Sequence, residues 1–193
     1  MKFSRTTVAV ALSLAFSGAA FAQAGTVQRD ANQQQRIEQG LQSGSLNTRE
    51  ASRLEGEESR VQRDQARAMQ DGKLSPAEKA RLSREQNRVS RDIYREKHDA
   101  QTGNPNSASS QRMQADVQRN VNQQKRIEQG AQSGSLTTRE VGRLERGEAH
   151  NERLQARAGA DGQVSAKEQH RVQKNENKES QRIHRQKHDA QHK

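Results

Sequence analysis

Every recurring signature in this chain returns after the same interval. Val27-Gln28-Arg29 reappears as Val117-Gln118-Arg119, Arg36-Ile37-Glu38-Gln39-Gly40 as Arg126-Ile127-Glu128-Gln129-Gly130, and Lys97-His98-Asp99-Ala100-Gln101 as Lys187-His188-Asp189-Ala190-Gln191. The first residues of each pair differ by 90, and the offset does not drift. A duplication that tolerates no insertion implies a compact supersecondary unit in which element lengths set the packing. Residues 27–103 therefore align without a gap on residues 117–193. The intervening 104–116 opens with Asn104-Pro105-Asn106-Ser107, a composition that predicts a flexible linker.

A shorter pattern lies inside each copy. Ser43-Gly44-Ser45-Leu46-Asn47-Thr48-Arg49-Glu50 and Asp71-Gly72-Lys73-Leu74-Ser75-Pro76-Ala77-Glu78 share one logic, as do Ser133-Gly134-Ser135-Leu136-Thr137-Thr138-Arg139-Glu140 and Asp161-Gly162-Gln163-Val164-Ser165-Ala166-Lys167-Glu168. In each, glycine ends one helix in the left-handed conformation, an aliphatic follows, and a Ser, Thr or Asn caps the next helix with Glu three residues on. Pro76 falls at a first helical position, where its missing N–H costs nothing. The expected fold class is all-α: two tandem three-helix units with capped helix-turn-helix connections, helices near 27–42, 48–70 and 76–101, and equivalents 90 later.

The core available to such units is sparse. All three Phe lie before residue 22, leaving Tyr94 as the remaining aromatic. Leu54, Val61 and Ala68 are spaced seven apart, and Leu82, Val89 and Ile93 continue the stripe on the third helix. Asn151 and Glu179 replace Val61 and Val89 in the second copy, so its third helix is expected to fold only conditionally. Glu38, Glu55, Glu57, Glu58 and Glu85 stand among arginines and read as mixed-charge, exposed helix surface.

The N-terminus has the form of an export signal: Lys2 and Arg5, an apolar run from Val8 to Phe16, then Ala20-Phe21-Ala22 as a small-x-small cleavage site. Residues 1–22 are thus expected to be a signal peptide, and the product periplasmic or secreted, with no transmembrane segment. The chain has no cysteine for a disulfide or a lipid anchor. Loss of Lys2 and Arg5 lowers the net charge from +10 to +8. That basic balance favours anionic partners, but a single aromatic gives no stacking platform for sequence-specific nucleic-acid contact. A catalytic site is not expected, because there is no cysteine nucleophile, no phosphate-binding glycine loop and little apolar surface for a dry pocket.

The four turns resemble the second half of an EF-hand calcium loop, with Asp and Gly followed by an aliphatic, Ser and Glu. The resemblance implies Asp71, Ser75 and Glu78 as metal ligands in one copy, and Asp161, Ser165 and Glu168 in the other. Arg67, Met69, Arg157 and Gly159 stand at the first and third loop positions, so the first half of the loop departs from the pattern. His184, His188 and His192 are four apart, a spacing that lets neighbouring imidazoles share a Zn, Ni or Cu ion. A divalent cation, whether Ca, Zn, Cu or Ni, is accordingly the leading ligand of an exported, non-enzymatic binding protein.

The aliphatic-Ser/Thr-x-x-Glu turns are also similar, more loosely, to those of the Spy, CpxP and ZraP group of small helical periplasmic proteins, which act as stress chaperones or metal-responsive sensors. That likeness implies unfolded proteins as partners, and the basic charge adds anionic envelope components. The Arg-Ile-Glu-Gln-Gly, Ser-Gly-Ser-Leu and Lys-His-Asp-Ala signatures resemble a group of exported bacterial proteins carrying this repeat, which implies export without naming an activity.

Overall fold

The computed structural model describes residues 17–189, with side chains from Gln23 onward. Most of the expected signal peptide, and His192, lie outside the described residues. Six helices are present: α1 (Ser17–Ser43), α2 (Thr48–Ala68), α3 (Pro76–Glu96), α4 (Ala108–Ser133), α5 (Thr138–Ala158) and α6 (Ala166–Lys187). The all-α class is as expected, and α6 is a continuous helix despite its lost apolar residues. α1 begins ten residues earlier than the repeat pattern suggests. The segment expected to be flexible is shorter than 104–116, because Ser107 accepts from Ser110 N and starts α4 at Ala108.

The turns are built as their residues require. Gly44, Gly72, Gly134 and Gly162 take positive φ of 75° to 91°, and they are the only described residues to do so. Asn47, Ser75, Thr137 and Ser165 each close a capping box with Glu50, Glu78, Glu140 and Glu168. Leu46 and Leu136 fold back over Gly40 and Gly130 so closely that a Cβ there would lie 2.5 Å from the leucine. Arg-Ile-Glu-Gln-Gly is thus the seat on which the first turn of each copy closes.

The two copies are interleaved. α2 lies along α5 and α1 along α4, and these two pairings are the most extensive helix contacts in the molecule. Gly56 faces Ala156 while Gly142 faces Met69, so α2 and α5 run antiparallel. α3 touches only α1 and α2, and α6 only α4 and α5, so they clad the outside of a four-helix centre. The cladding repeats in register: Gln33 Nε2 donates to Gln86 O at 2.7 Å and Arg36 to Ser90 O at 3.1 Å, while Gln123 donates to Glu176 O and Arg126 to Ser180 O, each at 3.0 Å.

Apolar packing follows the same exchange. One cluster combines Leu41, Leu46, Leu54 and Ile93 with Met113, Val117 and Val164. The other combines Ile127, Leu136, Leu144 and Ile183 with Ala24, Val27 and Met69. Each sparse stripe is completed by the opposite copy, which explains how so few apolar side chains sustain a core. Ala24 and Val27 both follow the expected cleavage position, so removal of residues 1–22 leaves them in place.

Because each cluster draws on both copies, urea unfolding of residues 23–193 should be one cooperative transition. Leu54→Ala and Leu144→Ala should each lower its midpoint, at a cost of roughly 2–5 kcal/mol, without splitting it. Two separable transitions would contradict the interleaving.

A candidate cation site in the carboxylate core

The interior between the two apolar clusters is polar, and its charge is of one sign. Asp30, Glu55, Glu58, Asp116, Glu145, Glu148, Glu152, Glu176 and Glu179 are all buried, whereas no Lys, Arg or His is buried among the described residues. In a chain of net charge +10, every buried ionisable side chain is acidic. Burying a carboxylate without compensation is expensive, so such a set must find donors, protons or cations.

Glutamine and asparagine supply part of the answer. Gln34 Nε2 donates to Glu55 at 3.2 Å and to Glu152 at 2.9 Å, and Gln62 also donates to Glu152. Asp30 accepts from Gln65 at 2.7 Å and from Gln86 at 2.6 Å. Asn120 donates to Glu55 at 3.2 Å, Gln155 to Glu176 at 2.9 Å and Gln124 to Glu145 at 3.3 Å. At the rim Arg119 reaches Glu176 at 3.1 Å and Arg182 reaches Glu179 at 2.6 Å, their own side chains half in solvent.

These donors do not suffice. Glu55 Oε1, Glu145 Oε1, Glu152 Oε2 and both carboxyl oxygens of Glu58 are buried without a hydrogen-bond partner, and so are the Oε1 atoms of Gln34, Gln62, Gln65 and Gln124. The shortage is of positive charge or hydrogen, not of acceptors. Glu58, like Glu148, sits at zero exposure with neither oxygen partnered, and Asp30, Glu55, Glu57 and Glu145 all repel its negative form.

Enclosure raises the proton affinity of these carboxyl groups. Burial pushes Glu55 up to about 8 and Asp30 to about 7, although amide donors pull both down. Burial, with repulsion from Glu176, raises Asp116 to about 8. Glu176 and Glu179 rise to about 7 by burial against the pull of Arg119 and Arg182. Glu58, Glu145, Glu148 and Glu152 lie well above the ordinary carboxylate range, first from burial and then from the charge of neighbouring carboxylates such as Asp30, Glu55 and Glu179.

The residues expected to bind metal are arranged otherwise. Asp71 Oδ1 accepts from Lys73 N at 2.8 Å, and Glu78 accepts from both the backbone and the hydroxyl of Ser75, so the turn's oxygens close their own loop. Asp161, Ser165 and Glu168 repeat this arrangement. In each turn a guanidinium of the other copy already donates to the aspartate carbonyl, Arg139 to Asp71 O at 3.1 Å and Arg49 to Asp161 O at 2.9 Å. The His184 and His188 rings pack with centroids 4.5 Å apart and tilted by 45°, at the positions where Tyr94 and His98 stack at 4.2 Å in the first copy.

Elsewhere, Glu50, Glu96 and Asp99 bring three ligand atoms within 4.8 Å of one another, a convergence seen nowhere else among the described residues, and Arg53 neutralises part of it through Glu96 at 3.0 Å. The core carboxylates stand further apart, held by their amide donors. Glu57 and Glu58, expected on the exposed surface, prove to be half-buried and fully buried. The overlooked signal is the spacing Glu55, Glu58, Gln62, Gln65 and, in the second copy, Glu145, Glu148, Glu152, Gln155. These are helical stripes from which every arginine is excluded.

The chain matches no family model, no curated protein and no solved structure.

A pH dependence follows from the raised values. Unfolded Asp and Glu titrate near 3.8 and 4.5, whereas the folded groups titrate near 7 and 8. The folded state therefore binds more protons, and stability is lost as pH rises from about 4.5 through 8. His150, lowered mainly by burial, works weakly in the opposite direction. In chelator, the urea midpoint should be higher at pH 5 than at pH 8.5; an unchanged or reversed order would show that the carboxyls titrate normally.

Proposed function

We propose that the protein is a cation-binding protein whose site is the buried carboxylate core, where a hard divalent ion exchanges with the carboxyl protons. The single observation that carries this is Glu58, fully buried with both oxygens unpartnered, among acidic neighbours and without a buried base. Carboxylate and amide oxygens are the ligand set of hard ions such as Ca and Mn, whereas Zn, Cu and Ni favour nitrogen or sulfur. The capped turns act as helix connectors in this account, and the ion belongs inside the four-helix centre.

Binding at this site involves more than docking. Glu55 and Glu145 must turn partly from their amide donors toward the ion as protons leave, so affinity should rise with pH. Export by the N-terminal signal would place the protein in the periplasm or outside the cell, where such ions are encountered. Tyr94 is the one large apolar side chain exposed among the described residues, so the folded surface offers little to an unfolded client. Binding of ions is therefore favoured over chaperoning.

At pH 8, saturating Ca or Mn should raise the thermal midpoint of residues 23–193, with about 2.7 kcal/mol expected at one hundred times Kd. Glu58→Gln combined with Glu145→Gln should stabilise the metal-free protein and abolish the metal response. Asp71→Ala with Asp161→Ala should leave that response intact. No midpoint shift with either ion, or a response lost in the Asp71/Asp161 variant and kept in the Glu58/Glu145 variant, would refute the assignment.

A further inference from the structure

The outer face of the second copy carries a groove whose charge differs from that of the same place in the first copy. Arg143 and Arg146 of α5, Arg182, Arg185 and Gln186 of α6, and Asp189 just beyond line a groove of ≈ 490 Å³. Ninety residues earlier stand Arg53, Gly56, Asp92, Arg95, Glu96 and Asp99. Two arginines facing three carboxylates have become four arginines facing one, so the formal charge of the six positions passes from −1 to +3.

In the first copy the arginines are matched: Arg53 pairs with Glu96 at 3.0 Å and Arg95 with Asp92 at 2.7 Å. The second copy replaces both of those acids, with Arg182 at the aspartate position and Gln186 at the glutamate. It also adds Arg146 where the first copy has glycine. Asp189 can offset one guanidinium of the four and Glu179, from behind, another.

One of the four is fixed from behind. Arg182 Nη1 donates to Glu179 Oε2 at 2.6 Å, and Glu179 is itself buried. The Glu179 carboxyl lies over Gly147, where any Cβ would fall 2.1 Å from it. The first copy has Glu57 and Val89 at these two positions, so the carboxylate has moved from the α2/α5 side of the contact to the α3/α6 side, beneath the new arginine. Gly147 and Arg182 are thus parts of one rearrangement that holds a guanidinium at the groove wall.

We propose that this groove binds a phosphorylated oligoanion of the pyrophosphate or tripolyphosphate kind. Guanidinium groups present paired N–H donors that match phosphoryl oxygens, and four of them against Asp189 and the Glu179 behind Arg182 still call for a ligand with more than one negative charge. The surfaces of α5 and α6 supply two arginines each, so the ligand bridges the two helices. The groove meets the carboxylate core at the Arg182–Glu179 pair, and phosphate binding at its other arginines needs no metal ion in that core.

The test is calorimetric titration of residues 23–193 with tripolyphosphate in metal-free buffer at fixed ionic strength. One ion per chain is expected. Arg146→Gly with Gln186→Glu restores the first copy's residues at two positions, leaves Arg182 paired with buried Glu179, and should weaken binding by about tenfold or more. The reciprocal Gly56→Arg, Asp92→Arg and Glu96→Gln should create a second site and raise the stoichiometry to two. Arg146→Lys with Arg185→Lys keeps the charge and the helices but removes the paired donors, and should also weaken binding. Equal affinity of wild type and the restored variant, or many weakly held ions per chain, would reduce the effect to general attraction by a basic protein and overturn the proposal.

Discussion

Nine carboxyl groups enclosed between the paired copies, with no buried base beside them, are the constraint on which the rest of the molecule depends. They account for the polar centre of the bundle and for the Gln and Asn that face it, since neutral amides donate hydrogen bonds without adding a charge. They also account for the interleaving: a single copy would leave its Glu55–Glu58 or Glu145–Glu148 stripe facing solvent, and only α2 against α5 encloses them. Apolar stripes too narrow to cover a helix face are sufficient here because they need only seal the two ends of a polar centre.

The duplication then allowed the copies to diverge in opposite senses inside and outside. Inside, the second copy has acid where the first has Thr26, Gln62, Gln86 and Val89, namely Asp116, Glu152, Glu176 and Glu179. Asn120 in place of Asp30 is the single reversal among these core positions. Outside, the groove between α5 and α6 has Arg182 and Gln186 where the first copy has Asp92 and Glu96, and Arg146 where it has Gly56. Carboxylates have gathered in the interior while this one groove has lost acids and gained arginines, which strengthens both the demand for a cation within and the attraction for an anion at the groove.

Much of the fold was legible in the sequence. The exact repeat and the four capped turns follow from local chemistry that operates within a few residues, whereas the seat of Leu46 on Gly40 emerged only with the structure. The pairing of α1 with α4 and α2 with α5 was not legible, because a tandem repeat can satisfy its stripes within a copy or across copies, and periodicity is the same in both cases. The core site was missed for a related reason: Glu55 and Glu58 flanked by Arg53 and Arg60 look like ordinary surface charge until the helix is viewed end-on. The Asp-Gly turns drew attention because their residue types match a calcium loop, yet their oxygens are consumed by capping and by arginines from the opposite copy.

Infrared difference spectroscopy reads the ionisation of the core directly. In metal-free protein at pH 7 the account predicts a band from the C=O stretch of buried, protonated carboxyl groups, lost when Ca or Mn is added and replaced by carboxylate bands, and diminished in Glu58→Gln with Glu145→Gln. A metal-free spectrum with no protonated carboxyl band, or a band that the ions leave unchanged, would contradict it.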